Sequence, residues 1–190
     1  MFEYSMNISF FYELIPSPLG DVGIVWVRKN IAPSVVRILL PKKDGAMDEV
    51  INSEYPGAVK ESKNNIDKIF FQIREYMKGY AVEFSLDSLD MEQCYDFQKR
   101  VLLELGRIPR GKVVSYGQLA GKIGAPGAAR AVGTALARNP FPITLPCHRV
   151  VKSTGHLGNF GGGREMKKAL LRVEGINLSD KGKIDPHYFW

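Results

Sequence analysis

The sequence predicts an α/β N-terminal domain over residues 1–90 and a mainly α-helical C-terminal domain over residues 91–190, the latter with a helix-turn-helix of winged-helix-like form. Three observations predict this. Strand-like apolar runs fill the chain up to Leu40. Beyond Cys94 the apolar residues recur at helical spacing, punctuated by glycine and proline. Charge divides at the same place: residues 1–90 hold 10 Lys and Arg against 13 Asp and Glu, a balance of −3, and residues 91–190 hold 16 against 7, a balance of +9. The second half is the one suited to a polyanion. A merely soluble basic surface would show the same charge, so the motifs must decide.

Taken in order, Ile8 to Leu14, Val22 to Val27 and Val35 to Leu40 read as strands. Turn-rich Pro16 to Asp21 and Asn30 to Pro33 separate them. From Asn64 to Lys78, residues Ile66, Ile69, Phe70, Ile73 and Met77 share one helical face, and Gly79 suits the helix end. Phe84 to Asp90 reads as a linker or short extended stretch. Cys94 to Leu105 predicts an amphipathic helix with Phe97, Val101, Leu102 and Leu105 inward, closed by Gly106. Ser115 is a good N-cap for a helix over Tyr116 to Ile123, with Gly124 ending it. Pro126 suits a first turn, and Gly127 to Arg138 predicts the next helix. Two short helices around a tight turn are a helix-turn-helix. The basic, aromatic-rich end from Lys181 to Trp190 reads as an ordered cap or a loose tail.

Composition excludes several classes. Apolar residues make up 45% and charged residues 24% of the 190, which is ordinary for a globular protein. No apolar run approaches the ~20 residues that span a bilayer. The start of the chain lacks the basic and apolar regions of a signal peptide. Two cysteines, Cys94 and Cys147, make no disulfide framework, so a reducing compartment is expected: cytoplasm in a prokaryote or nucleus in a eukaryote.

The second helix of the motif, Ala128-Ala129-Arg130-Ala131-Val132-Gly133-Thr134-Ala135, is built from small residues around one arginine. Major-groove readers usually present long polar side chains. A bare Ala/Gly face can instead press on a narrow minor groove. Tight helix–helix packing also favours small residues, but a packed face seldom needs a guanidinium, so Arg130 favours the DNA reading.

The most informative stretch is Leu145-Pro146-Cys147-His148-Arg149-Val150-Val151, at the end of a β-prone run from Phe141 to Leu145. A free thiol with a pKa near ~8.5 is mostly protonated at neutral pH, and a nearby imidazole is the usual remedy. Adjacent residues of an extended chain point to opposite sides, so Cys147 and His148 would not touch directly. A lone cysteine beside an apolar run is otherwise a small buried hydrophobe. Around it stand Arg138-Asn139-Pro140-Phe141-Pro142 and Gly158-Asn159-Phe160-Gly161-Gly162-Gly163.

Together these segments, with Ser115-Tyr116-Gly117-Gln118-Leu119-Ala120 and Leu171-Arg172-Val173-Glu174-Gly175, resemble the O6-alkylguanine-DNA alkyltransferases. The resemblance is dense from about Asp96 to Gly175 and faint before it. It implies stoichiometric, single-turnover transfer of an alkyl group from O6-alkylguanine in double-stranded DNA to Cys147, with O4-alkylthymine a second candidate substrate. By the same resemblance, His148 is the general base, working through a water, and Glu174 orients it. Tyr116 donates a proton or hydrogen bond to the departing base and crowds the flipped phosphate. Arg130 enters the duplex in place of the extruded nucleotide, on a helix whose Ala128, Ala129, Ala131 and Gly133 meet DNA. Asn139 ties that helix to the Cys147 turn, Pro142 lines the alkyl pocket, Gly161 N–H donates to O6, and the carbonyls of Cys147 and Val150 accept the guanine amine. No cofactor, membrane or obligatory protein partner is implied, and a monomer is expected.

Two departures stand out. Phe160 and Gly161 replace the tyrosine and serine of some relatives, and three consecutive glycines are expected to loosen the pocket rim and admit larger alkyl groups. The zinc-binding cluster of some relatives has no counterpart, because no Cys or His precedes Cys94, so no metal is expected. The competing reading is a non-catalytic helix-turn-helix damage sensor or regulator with an inert cysteine. His156 and His187 read as surface residues without partners.

Overall fold

The computed structural model describes residues 9–29, 32–42, 45–61 and 66–190. Strands β1 (Phe10–Ile15), β2 (Val22–Arg28) and β3 (Pro33–Leu39) form an antiparallel meander. The two-residue β4 (Val59–Lys60) joins parallel to β1, giving the order β3-β2-β1-β4. β2 is an unbroken buried run from Val22 to Val27 because both its faces are covered. On one face Val25 packs with Tyr12, Leu39, and Met47 and Ile51 of α1 (Met47–Glu54). On the other, Ile24 and Trp26 join Ile69, Ile73 and Tyr76 of α2 (Asp67–Met77). The expected strands and helix are therefore present with slightly shifted ends. Ile8, Asn30, Ile31 and Asn64, on which parts of those expectations fall, lie outside the described residues.

The C-terminal region is helical, with α3 (Asp96–Gly106), α4 (Tyr116–Lys122), α5 (Ala129–Ala137) and α6 (Gly163–Val173). A short parallel pair, β5 (Val114–Ser115) with β6 (Val150–Val151), flanks the helix-turn-helix formed by α4 and α5. Ser115 caps α4 as expected, and reciprocally: its Oγ accepts from Gln118 N at 3.1 Å, and its own N–H donates to Gln118 Oε1 at 2.7 Å.

Four expectations are corrected. α3 starts at Asp96, because Met91–Gln93 form a 3₁₀ turn and Cys94 is extended. Its buried face takes Gln98, whose amide donates to the Ala135 and Arg138 carbonyls, while Phe97 is only partly buried. α5 starts at Ala129, not Gly127: Gly127 has φ +87°, so Pro126 and Gly127 make the turn rather than the first helical turn. The β-prone run from Phe141 to Leu145 is a buried turn with Ile143 at φ 75°. Pro142 inside it and Pro140 just before it each remove a backbone donor, and the Asn139 side chain bridges its two ends.

The sheet and the helical region share one continuous apolar core. β3 is tied to the stretch that leads out of the sheet, where Val35 N–H donates to Ser88 at 2.6 Å and Asp90 N–H to Val35 at 2.8 Å, and to the helical region itself, where Ile38 N–H donates to Pro140 at 2.8 Å. The last bond fixes β3 directly against the turn that leads into Cys147. The C-terminal segment is an ordered cap, pairing with Val113 from Tyr188 and Trp190, and Lys122 Nζ sits 3.7 Å from the Trp190 ring centre. No helix among the described residues is long and apolar enough to cross a membrane.

Candidate active site

Cys147–Arg149 form a single 3₁₀ turn between Pro146 and β6, not the extended chain expected from the sequence. Asn139 holds the approach to it: Asn139 Nδ2 donates to the Leu145 carbonyl at 2.8 Å, and its Oδ1 accepts from Phe141 N at 2.9 Å. Cys147 is 8% exposed, sheltered from bulk water yet reachable. Burial pushes its thiol pKa up, partly offset by the Asn139 amide and the Lys167 ammonium.

Behind the thiol lies a buried polar cluster. His148 Nε2 is 2.8 Å from Glu174 Oε1, just past the C-terminal end of α6. Arg149 grips the same carboxylate through Nε at 2.9 Å to Oε2 and Nη2 at 2.8 Å to Oε1, and Gly111 N–H adds a longer bond at 3.4 Å. Burial alone would raise the Glu174 pKa, but His148 and the Arg149 guanidinium outweigh it and hold the carboxyl well below the usual range. Burial pushes the His148 pKa down, against the pull of Glu174. His148 Nδ1 is buried with no hydrogen-bond partner among the described residues.

Three members of this cluster were not assigned roles from the sequence. Tyr76, on α2, reaches Glu174 Oε1 at 2.8 Å and His148 Nε2 at 3.1 Å. Arg149 stands inside the quoted motif, where only burial reveals what it pairs with. Lys167 of α6 is fully buried and donates to the carbonyls of Val150 at 2.7 Å, Leu157, and Asn159 at 3.4 Å. Burial lowers its pKa to about 8. A buried tyrosine at helical spacing from Ile69 and Ile73 needs a polar partner, and that was the available signal for Tyr76.

Two cavities meet at Cys147. One, of about 750 Å³, is lined by Tyr116, Ala129, Arg130, Gly133, Cys147 and Gly161 among others, and opens on the helix-turn-helix face. The other, of about 870 Å³, runs between β3 and the loop into α6 and includes Leu40, Pro142, Cys147, Phe160 and Met166. Tyr116 opens α4, donates to the Asn159 carbonyl at 3.3 Å, and has its pKa raised by burial. Arg130 and Ala131 are exposed, Ala128, Ala129 and Gly133 half-buried, and Arg130 forms no ion pair among the described residues. Val150 lines neither cavity, and its carbonyl already accepts from Lys167.

The three glycines are not uniformly loose. Gly161 has open space around it, but a Cβ at Gly162 would come within 2.9 Å of Leu40 Cδ1 and 3.0 Å of Met166 Cγ. Glycine there permits close packing against the N-terminal region. His156 and His187 are exposed as expected but do have partners, Thr154 Oγ1 at 2.9 Å and Asp185 Oδ1 at 2.7 Å.

These shifts predict acid lability. His148 and Glu174 both have depressed folded pKa values, so the unfolded chain takes up protons more readily at each. Their stabilisation is full above the unfolded values, about 6.5 and 4.3, and is lost as pH falls through them toward the folded ones. The melting temperature should therefore drop between about pH 7 and pH 4, beginning with His148, and a flat profile over that window would contradict the assignment.

Fold and site together define a helix-turn-helix protein with a cysteine at a cavity on the helix-turn-helix face and a buried histidine–glutamate pair whose histidine is next to it in the chain. Residues 96–176 match the family described as 6-O-methylguanine DNA methyltransferase, DNA binding domain. The chain is 36% identical over 161 residues to the methylated-DNA–protein-cysteine methyltransferase of Methanothermobacter thermautotrophicus, covering 85% of this chain and 83% of that protein. It is also 36% identical to the Salmonella typhimurium protein of the same name, over 87% of this chain and 96% of that one. The crystal structure of Mycobacterium tuberculosis OGT in complex with DNA superposes with a TM-score of 0.68 at 33% identity, covering 86% of this chain and 92% of that one. The chain belongs to the methylated-DNA–protein-cysteine methyltransferase family.

Proposed function

We propose that this protein removes the alkyl group from O6-alkylguanine in double-stranded DNA and keeps it on Cys147, once per molecule. Family membership makes it a DNA-repair transferase with a cysteine acceptor. The observation that carries the finer reading is the position of Cys147, at the junction of the cavity beside Arg130 and the cavity beside Pro142, next in the chain to His148, whose buried Nδ1 has no hydrogen-bond partner among the described residues.

The base leaves the stack, at a cost of a few kcal/mol that a mispairing adduct lowers. It enters the cavity lined by Tyr116 and Gly161, while Arg130 fills its place in the duplex. The Cys147 thiol gives its proton through a water to His148 Nδ1. Sulfur attacks the alkyl carbon, the carbon–O6 bond breaks with its electron pair going to guanine, and the Tyr116 hydroxyl supplies a proton or hydrogen bond to the leaving base. A carbon–sulfur bond has a poor leaving group, so the acceptor is not regenerated. The apolar cavity beside Leu40, Pro142, Phe160 and Met166 gives an alkyl chain longer than methyl room to extend. Val150, whose carbonyl is engaged by Lys167, has only its second lone pair to offer the guanine amine. Residues 1–90 and 91–190 act as a supporting unit and an acceptor unit in a monomer.

The test compares methyl loss from a duplex carrying one O6-methylguanine with loss from the free alkylated base, for wild type and Arg130→Ala. Wild type should stop at one methyl per protein. Arg130→Ala should slow the duplex reaction by about tenfold to a hundredfold, as expected for losing part of the flipping free energy, and slow the free-base reaction less. No methyl loss with wild type would leave a DNA-binding sensor, and equal slowing on both substrates would remove Arg130 from flipping.

A further inference from the structure

Glu174 is ionised and acceptor-only, and its Oε1 lies 2.8 Å from His148 Nε2. A bare ring nitrogen would set lone pair against lone pair at that distance, so Nε2 carries a hydrogen and, in the neutral ring, Nδ1 is bare. The Tyr76 oxygen, 3.1 Å from the same Nε2, then has no acceptor there. Its proton goes to Glu174 Oε1 at 2.8 Å, and its lone pair receives a share of the Nε2–H. Tyr76, His148 and Glu174 thus close a three-atom ring with one arrangement of hydrogens. Tyr76 is 1% exposed, keeps its proton because burial raises its pKa well above 10, and packs against Phe84.

From this geometry we propose that Tyr76, contributed by α2 of the N-terminal region, is a positioning residue for alkyl transfer. Its hydroxyl braces the Glu174 carboxylate and the His148 Nε2–H in the arrangement that leaves Nδ1 bare. It also withdraws part of the Glu174 charge, which keeps the imidazole neutral. This proposal rests on the alkyl-transfer reading and extends the relay to a residue 98 positions from Glu174 in the chain. The other charged groups bearing on the ring are Arg149 beside it and Lys167 from α6, while the Arg110 guanidinium lies 5.5 Å from the Tyr76 ring centre. None of them donates a neutral hydrogen bond to Glu174.

Tyr76→Phe keeps the ring and removes the hydroxyl. Glu174, short of one donor, should draw a proton more strongly onto His148, so the acid limb of the single-turnover transfer rate should move to higher pH. The plateau rate should fall about threefold to tenfold, the effect of one lost hydrogen bond. Imidazole nitrogen NMR reads the tautomer directly, and with only three histidines in the chain the buried one is readily assigned. In wild type it should report hydrogen on Nε2, and in Tyr76→Phe a raised pKa. If Tyr76→Phe does not fold, 3-fluorotyrosine at position 76 keeps the shape and strengthens the donor, and should move the limb to lower pH. An acid limb and a His148 nitrogen titration unchanged from wild type would overturn the proposal, even if the rate fell. Should wild type transfer no alkyl group, the alkyl-transfer reading fails, and the NMR titration still decides whether Tyr76 tunes the His148 pKa.

Discussion

Replacing Glu174 by glutamine is expected to lower the melting temperature by roughly 6 to 20 °C and to slow alkyl transfer at least tenfold. The carboxylate is the common acceptor for Arg149, His148, Tyr76 and the Gly111 N–H. An amide turns one acceptor oxygen into a donor that faces the guanidinium of Arg149, whose ion-pair partner among the described residues is Glu174. Arg149 is 8% exposed and cannot rotate to water. An uncompensated buried charge costs about 3–5 kcal/mol, and a chain of this length loses about 2–4 °C per kcal/mol. The rate falls because a neutral amide no longer stabilises the imidazolium that forms when His148 takes up the thiol proton. Thermal melts and single-turnover rates check both parts, and a melting point within a few degrees of wild type would show that the cluster is more wetted than its burial suggests.

The second large effect runs the other way: Cys147→Ala should abolish transfer completely and leave folding and DNA binding almost untouched. Among the described residues the thiol donates to no carbonyl, and its removal deletes one sulfur from a residue that is 8% exposed, a change of about 1 kcal/mol or less. Arg130 and Tyr116, which line the cavity on the helix-turn-helix face, do not depend on it. The variant should therefore hold an alkylated duplex in a complex that never resolves. Titration of labelled duplex carrying the lesion checks this. Loss of binding in parallel with loss of transfer would mean that Cys147 shapes the interface and does not merely react in it.

How much was legible follows physical lines. β2 was readable because a strand covered on both faces is a run of apolar residues, and α4 because Ser115 announces its start locally. α1 offers only Met47, Val50 and Ile51 as apolar positions in eight residues and has no side-chain cap, so its signal is faint. The Phe141 to Leu145 run misled because side-chain propensity was overruled by two prolines and by an asparagine bonded to the loop backbone. Cys147, His148, Glu174 and Arg130 stand in short motifs that the sequence displays. The contacts of Tyr76 and Lys167 are not displayed there, because their partners are distant in sequence or are backbone carbonyls that no pattern encodes. The contacts of the first 90 residues with the Cys147 region were opaque for the same reason: they run through a hydroxyl on α2 and the Ile38–Pro140 bond, both far apart in sequence.

The most direct measurement is intact-mass analysis and peptide mapping after mixing the protein with a duplex that carries one O6-methylguanine. A single gain equal to one methylene, placed on Cys147 and absent from Cys147→Ala, is the predicted result. Binding without any change in mass, or a methyl group mapped to Cys94, would contradict it.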